Sequence, residues 1–155
     1  MENYKNYTLI QERNFESARK KIVKSKGLIV FSSNNDELNR KILEKENIDF
    51  FLINLQGRRD KFKERNSGFN QVLAKIAKKK NIVIGINLDE IINSKGKEKA
   101  EILARVKQNI RICNKNKLRM KFLALKKENE RDIYDLKSLG LVLGMPTWMT
   151  SKLAR

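Results

Sequence analysis

Residues 58–77 read RRDKFKERNSGFNQVLAKIA and join a polar, cationic loop to an amphipathic helix. The apolar residues of the second half recur at the spacing that aligns one face of a helix: Phe69, Val72, Leu73, Ile76 and Ala77. We predict a helix over residues 68–80 with that face inward, capped by the side-chain oxygen of Asn66 or Ser67. Because exposed amides at a helix start also attract anions, the cations that precede it predict a phosphate-binding loop: Arg58, Arg59, Lys61, Lys63 and Arg65.

Short apolar runs alternate with helical periodicity along the rest of the chain. The apolar runs predict buried strands at 28–31, 48–53 and 82–86, an edge strand at 118–125 and a weaker strand at 7–10. The periodic segments predict helices at 14–26, 37–45, 68–80 and 98–116, a helical turn at 88–93, and a last helix from Pro146. Residues 129–143 fit one helix or a helix followed by a short strand at 141–143, and we predict the single helix. This alternation predicts parallel βαβ units with right-handed crossovers.

The length limits which α/β architecture these units can build. The chain has 155 residues, whereas a closed eight-stranded β/α barrel takes roughly 250. Five strands also leave a barrel unclosed. We therefore predict a single domain over residues 1–155, built as an open α/β layer or as an incomplete or reduced TIM-like (β/α) barrel.

The charge and composition narrow the function classes. Thirty-five Lys and Arg against eighteen Asp and Glu give a net charge of +17, distributed over every segment, which indicates a polyanionic partner such as nucleic acid. The absence of histidine excludes Ser-His-Asp and Cys-His nucleophiles and histidine-based zinc centres, but it leaves all-carboxylate magnesium sites open. Cys113, the single cysteine, follows Val106 and Ile110 at helical spacing and is predicted to be buried. With neither an apolar signal core nor a long apolar span, we expect a cytoplasmic protein that does not enter membranes.

Three groups of residues together resemble a known family. The first comprises Arg59, Asp60, Arg65, Asn66, Ser67, Gly68, Asn70, Val72, Leu73, Ala74 and Ala77, followed by residues 82–86. The second is the pair Asn39 and Arg40, and the third comprises Arg131, Tyr134, Asp135 and Leu136, with Gly140 and Gly144 behind them. From about residue 36 to residue 145 the chain resembles the protein component three family of ribonuclease P, the barrel-like archaeal and eukaryotic subunit related to the polymerase and histidinol phosphatase superfamily. Family members are generally longer at the N-terminus, and Ile133 and Gln71 stand where they often have proline and histidine.

The resemblance implies a non-catalytic RNA-binding subunit of ribonuclease P with shortened N-terminal βα units and a docking helix at 146–155. Such a subunit supports the catalytic RNA, together with a small protein subunit, in removing the 5′ leader from precursor tRNA. It holds no cofactor itself, because the Mg²⁺ belongs to the catalytic RNA. The RNA-binding residues implied here are Arg58, Arg59, Lys61, Lys63, Arg65, Asn66, Ser67 and Asn70. Arg40 and Arg131 would contact RNA or a partner, or would pair with Asp60 or Asp135 to brace a rim.

Two other functions stay open at this point. The chain could be a structural protein of another ribonucleoprotein such as the ribosome, since charge alone does not identify the RNA. A metal-dependent phosphoesterase or nuclease would need a carboxylate cluster that includes Asp60 and Asp89, whereas we predict helix capping for Asp89 and Glu90. The ribonuclease P hypothesis predicts that changing Arg58, Arg59 and Arg65 to Ala weakens RNA binding and flattens its salt dependence. We expect the fold to stay intact.

Overall fold

The computed structural model describes residues 7–153, so the first six residues and the last two of the predicted 146–155 helix lie outside the described part. Its strands are β1 (Tyr7–Ile10), β2 (Leu28–Phe31), β3 (Phe50–Ile53), β4 (Val83–Asn87) and β5 (Met120–Leu123). Its α-helices are α1 (Phe15–Lys24), α2 (Asp36–Lys45), α3 (Gln71–Lys80), α4 (Leu88–Asn93), α5 (Gly96–Lys115), α6 (Ile133–Val142) and α7 (Thr147–Thr150). A 3₁₀ turn spans Lys127–Asn129. Within residues 7–153, no helix is long and apolar enough to cross a membrane.

The five strands form one parallel sheet in the order β1-β2-β3-β4-β5, so each strand lies beside its neighbour in the chain. The register places Ile53 opposite Ile86, and Ile86 opposite Phe122. A sequential parallel order is the arrangement of a β/α barrel, but here β1 and β5 are the two ends of an open sheet. The predicted incomplete TIM-like barrel is confirmed, with β5 at an edge as expected.

The two faces of the sheet are buried in different ways. On one face, Phe31, Phe51 and Ile84 pack in a large core with residues of the surrounding helices, such as Ile42 and Ile110. The other face carries a smaller apolar cluster that includes Val30, Phe50, Leu52, Val83 and Leu123. Since strand residues alternate between faces, each strand contributes to both cores, which explains why the buried strands read as continuous apolar runs.

The start of α3 differs from the sequence prediction. The helix begins at Gln71, and the side chain of Asn70 caps it by accepting from the Leu73 amide at 3.0 Å. Gly68 has a φ of +67°, which is incompatible with a right-handed helix, so the predicted start at residue 68 and the predicted cap at Asn66 or Ser67 are wrong. Val72, predicted to face inward, is half exposed.

Other differences lie in the C-terminal half. Helix α5 begins at Gly96 rather than at residue 98, and α6 begins at Ile133 after the 3₁₀ turn rather than at residue 129. Lys121 of β5 is buried. Cys113 is buried as predicted, and burial raises the pKa of its thiol.

Candidate nucleic-acid interface

The carboxyl ends of β2, β3 and β4 are joined by a row of polar side chains. The Nδ2 of Asn54 donates to Ser32 Oγ at 3.0 Å and to Asn34 Oδ1 at 3.1 Å. Asn87 Nδ2 in turn donates to Asn54 Oδ1 at 3.1 Å. Because each of these side chains lies at or just after a strand end, the hydrogen bonds fix where the long connection of residues 54–70, between β3 and α3, leaves the sheet.

Two carboxylates of α4 hold neighbouring loops. Glu90 accepts from the amide of Leu55 at 2.8 Å, while Asp89 accepts from the amide of Leu125 at 3.0 Å and from Asn129 Nδ2 at 2.8 Å. Burial raises the pKa of Glu90, and the amides it binds oppose that rise. The cap of α4 is the side chain of Asn87, so the prediction that Asp89 and Glu90 cap this helix is wrong. Among residues 7–153, no group of three or more His, Cys, Asp or Glu side chains is placed to hold a metal ion.

Arg58 is a brace inside the 54–70 loop. Its guanidinium forms a bidentate pair with Asp36 at 2.9 and 3.1 Å and also donates to Asn66 Oδ1 at 3.1 Å. Its Nε donates to the Asn54 carbonyl at 2.6 Å, and only 10% of the side chain is exposed. With these donors occupied, we expect Arg58→Ala to disturb the loop, which differs from the sequence-based expectation that this substitution leaves the fold intact.

A second arginine, Arg105 of α5, holds the loop from the opposite side. Its Nη1 donates to the Leu55 carbonyl at 3.1 Å, and its Nη2 donates to the Arg58 carbonyl at 2.7 Å. Its Nε and Nη2 both lie 3.2 Å from Asp60 Oδ1. The side chain of Arg105 is 3% exposed, whereas that of Asp60 is 31% exposed, so the arginine is the buried partner of the pair.

Asp60 links Arg105 to two other residues of the 54–70 loop, Arg65 and Asn66. It accepts from the Asn66 amide at 2.9 Å and from Arg65 Nη1 at 3.2 Å. The Asn66 amide first, and then Arg105 and Arg65, hold the pKa of Asp60 below its ordinary value.

Arg105 is not among the site residues predicted from the sequence, although the sequence contains a signal for it. It lies between Ile102 and Val106 on the buried phase of α5, where a charged residue is rare unless it is paired. Asn109 shares that face and donates from Nδ2 to the Ser67 carbonyl at 3.0 Å. Charged and amide residues at apolar positions of α5 therefore mark the helix face that supports the loop.

The small polar residues of the motif shape the loop from within. Ser67 is buried, and its Oγ accepts from Gln108 Nε2 at 3.0 Å. Gln108 also donates to the Arg65 carbonyl at 3.0 Å. Asn66 binds Arg58, and Asn70 caps α3, so the three predicted polar contacts lie in the loop's own hydrogen-bond network.

The outer side of the loop carries what we call the crest, the exposed residues Arg59, Lys61, Phe62 and Lys63. Lys61 Nζ lies 4.0 Å from Glu64, a distance at which an exposed pair contributes little. Within residues 7–153, the side chains of Arg59 and Lys63 have no hydrogen-bond or ion-pair partner. Arg65 is intermediate, since it binds Asp60 yet remains 46% exposed. The structure thus divides the five predicted cations into an internal brace, Arg58, the partly engaged Arg65, and three exposed crest cations.

Arg40 and Arg131 lie outside the loop and keep local partners. Arg40 Nε lies 2.8 Å from Glu44 on the same helix, and Arg131 Nη1 donates to the carbonyls of Glu128 and Glu130 at 3.2 and 3.1 Å. Among the described residues neither pairs with Asp60 or Asp135, so the predicted rim brace is wrong. Both arginines are exposed, and their contact with RNA or a partner stays a prediction.

Comparison with known proteins agrees with the fold. A family model described as RNase P subunit p30 matches residues 8–153. Two proteins named Ribonuclease P protein component 3, from Methanosarcina acetivorans and Methanosarcina mazei, are 30% and 29% identical over 91 residues. Each match covers 59% of this chain but only 35% of the relative. A chain in the cryo-EM structure of archaeal ribonuclease P with mature tRNA has the same fold, with a TM-score of 0.77 and 20% identity over 96% of this chain and 63% of that one.

Proposed function

Because the chain belongs to the ribonuclease P subunit p30 family, we propose that it is a non-catalytic, RNA-binding protein subunit of ribonuclease P. In this role it supports the catalytic RNA in removing the 5′ leader from precursor tRNA. The matched stretch spans about a third of the length of each curated relative. The support for the proposed role therefore comes from the surface of this chain. The observation that carries the proposal is the crest, a set of exposed cations on a firmly held loop.

The crest suits phosphate contact because the supporting hydrogen bonds are made by other residues. Arg58, Asp60 and Arg105 hold the loop, while Arg59, Lys61 and Lys63 face water. Exposed cations release counterions from an RNA backbone without reading its sequence. A pre-ordered loop also loses less conformational entropy on binding than a mobile basic tail would. The crest cations therefore position RNA, and Ser67, Asn66 and Asn70 contribute by shaping the loop.

The protein partner in this proposal is the small protein subunit of ribonuclease P. Within residues 7–153, the open sheet leaves β1 and β5 each paired on one side only. Unpaired strand edges are usually covered by another element or another chain. A hetero-oligomer in which a partner covers one edge would stabilise the incomplete barrel, and Arg40 and Arg131 are exposed charges available to RNA or to that partner.

Reconstituted leader removal tests the function. Catalytic RNA, the small protein subunit and precursor tRNA are assayed with and without this chain over a magnesium titration. We expect the chain to lower the magnesium concentration needed for cleavage, because it replaces ions in screening RNA phosphates. Cleavage of precursor tRNA by this chain alone would refute a non-catalytic role, and recovery of ribosomal RNA instead of ribonuclease P RNA with the purified protein would favour another ribonucleoprotein.

The salt dependence of binding to the catalytic RNA tests the crest. Changing Arg59, Lys61 and Lys63 to Ala should lower the slope of log affinity against log salt by about 1 for each cation that meets a phosphate. The matched control changes Lys20, Lys24 and Lys26 to Ala, which removes equal charge from exposed positions on and after α1. Equal slopes for the two variants would contradict a specific role for the crest.

A further inference from the structure

Phe62 is the one crest residue that phosphate binding does not explain. Its side chain is fully exposed, although phenylalanine is usually buried in a protein with a large core. The other strongly exposed aromatic side chain among the described residues is Tyr134 on α6. An exposed aromatic ring at a loop tip is available to contact a ligand that has an apolar face.

The loop holds Phe62 outward. The amide of Lys61 donates to the Glu64 carbonyl at 2.9 Å, which closes a tight turn around Phe62 and Lys63. Behind that turn, Asp60 is tied to Arg105 and to the Asn66 amide, and Gln108 binds the Arg65 carbonyl. The ring is therefore displayed on a braced support, so presenting it to a ligand requires no ordering of the loop.

The charges around the ring favour RNA over an apolar protein surface. Lys61 and Lys63 flank Phe62 in the sequence and are exposed, as are Arg59, Asp60 and Glu64. The carboxylate of Asp60 is already bound to Arg105 and Arg65, so the cations predominate around the ring. Burying that group against an apolar partner would desolvate three cations, whereas RNA supplies phosphates for the cations and base faces for the ring. The surroundings of Tyr134 are mixed in charge, because Asp132 and Asp135 flank it in the sequence and Lys137 Nζ lies 6.0 Å from its ring centroid.

We propose that Phe62 stacks on an unpaired nucleobase while the neighbouring crest cations bind the adjoining phosphates. This inference rests on the proposed function and specifies how the same surface selects its RNA. Paired bases in a helix present only their edges, so a stacking ring requires a single-stranded or bulged nucleotide. The crest would then prefer unpaired RNA without reading a particular base, because every base has a face.

Binding of two RNA probes tests the proposal, a single-stranded adenylate dodecamer and an RNA duplex of equal length. Changing Phe62 to Ala should weaken dodecamer binding roughly 5- to 150-fold, the range for losing one base–aromatic stack, and should leave duplex binding and the salt slope unchanged. Phe62→Trp should retain the affinity and Phe62→Leu should lose it, since the contact needs an aromatic face. Tyr134→Ala serves as the control for removing an exposed aromatic and should bind both probes normally.

The outcomes separate this inference from the proposed function. If Phe62→Ala binds the dodecamer as the native chain does, or if Phe62→Leu retains affinity, the stacking role is wrong. The proposed function survives that result if removing Arg59, Lys61 and Lys63 still flattens the salt slope. If the native chain binds neither probe nor the catalytic RNA, both are overturned. Thermal unfolding of Phe62→Ala should match the native chain, because the exposed ring contributes no packing.

Discussion

Arg105 supports the crest from α5, and the change Arg105→Met tests that role. Methionine keeps most of the apolar stem but has no donors, so it removes the hydrogen bonds to the Leu55 and Arg58 carbonyls and to Asp60. The loop would lose its attachment to α5 at three points. The core around Ile102 and Val106 would be little changed.

The expected loss of unfolding free energy depends on which hydrogen-bond acceptors lose their donor when Arg105 is replaced. The bond to the Leu55 carbonyl is buried, so that acceptor loses its partner at a cost of about 1–3 kcal/mol. The Arg58 carbonyl is partly buried and contributes about 1 kcal/mol more, while Asp60 is open to water. Removing the buried charge itself recovers some desolvation energy, which brings the net loss to about 2 kcal/mol. In a domain of this size, that loss lowers the unfolding temperature by about 4–8 °C.

Thermal unfolding followed by circular dichroism measures this shift, with Arg65→Met as the matched control. Arg65 also binds Asp60, at 3.2 Å, but it is 46% exposed, so its loss should cost less than about 1 kcal/mol. Trypsin should also cleave Arg105→Met faster at Arg59, Lys61 and Lys63, because the freed loop reaches the protease more often. Equal unfolding temperatures for the two variants, with equal cleavage rates, would show that Arg105 does not support the loop.

Three further substitutions or reactions follow from the same geometry. Gly68→Ala should destabilise the fold by roughly 1–3 kcal/mol in urea unfolding, because φ is +67° and a Cβ would lie 2.6 Å from Arg58 Nη2. Gly57→Ala, at φ +73° with open space around it, is the control and should cost about 1 kcal/mol. A loss of stability that is larger for Gly57→Ala than for Gly68→Ala would contradict the expected clash at Gly68. The stability advantage of the native chain over Asp60→Asn should be complete above pH 3.8 and disappear as the pH falls through the lowered pKa of Asp60, since a depressed carboxyl pKa stabilises only the ionised state; an advantage that persisted in stronger acid would refute this assignment. Cys113 should resist thiol reagents until denaturant unfolds the chain, because it is buried and burial raises its pKa; rapid labelling of the native protein would be inconsistent with the core packing.

Much of the fold could be predicted from local patterns. The apolar runs at β2, β3 and β4 and the periodicity of α2 and α5 depend on each residue's own burial, and they appear in the structure within a few residues of the expected bounds. The start of α3 could not be placed in this way. Asn66, Ser67 and Asn70 are all good caps, and only the left-handed backbone of Gly68 excludes the first two.

For the site residues too, some properties follow from the sequence and others follow only from the tertiary structure. The sequence by itself determined that the connection before α3 is dense in cations, that the whole chain is strongly basic and that histidine chemistry is absent. Only the tertiary structure decided that Arg58 is an internal brace and that Arg59 is exposed to solvent, although the two are adjacent and chemically identical. The physical reason is that Asp36 and Arg105, from α2 and α5, converge on the loop through contacts between residues far apart in the chain. Local sequence patterns indicate which residues are buried, whereas the hydrogen-bond partner of a polar group depends on the path of the whole chain.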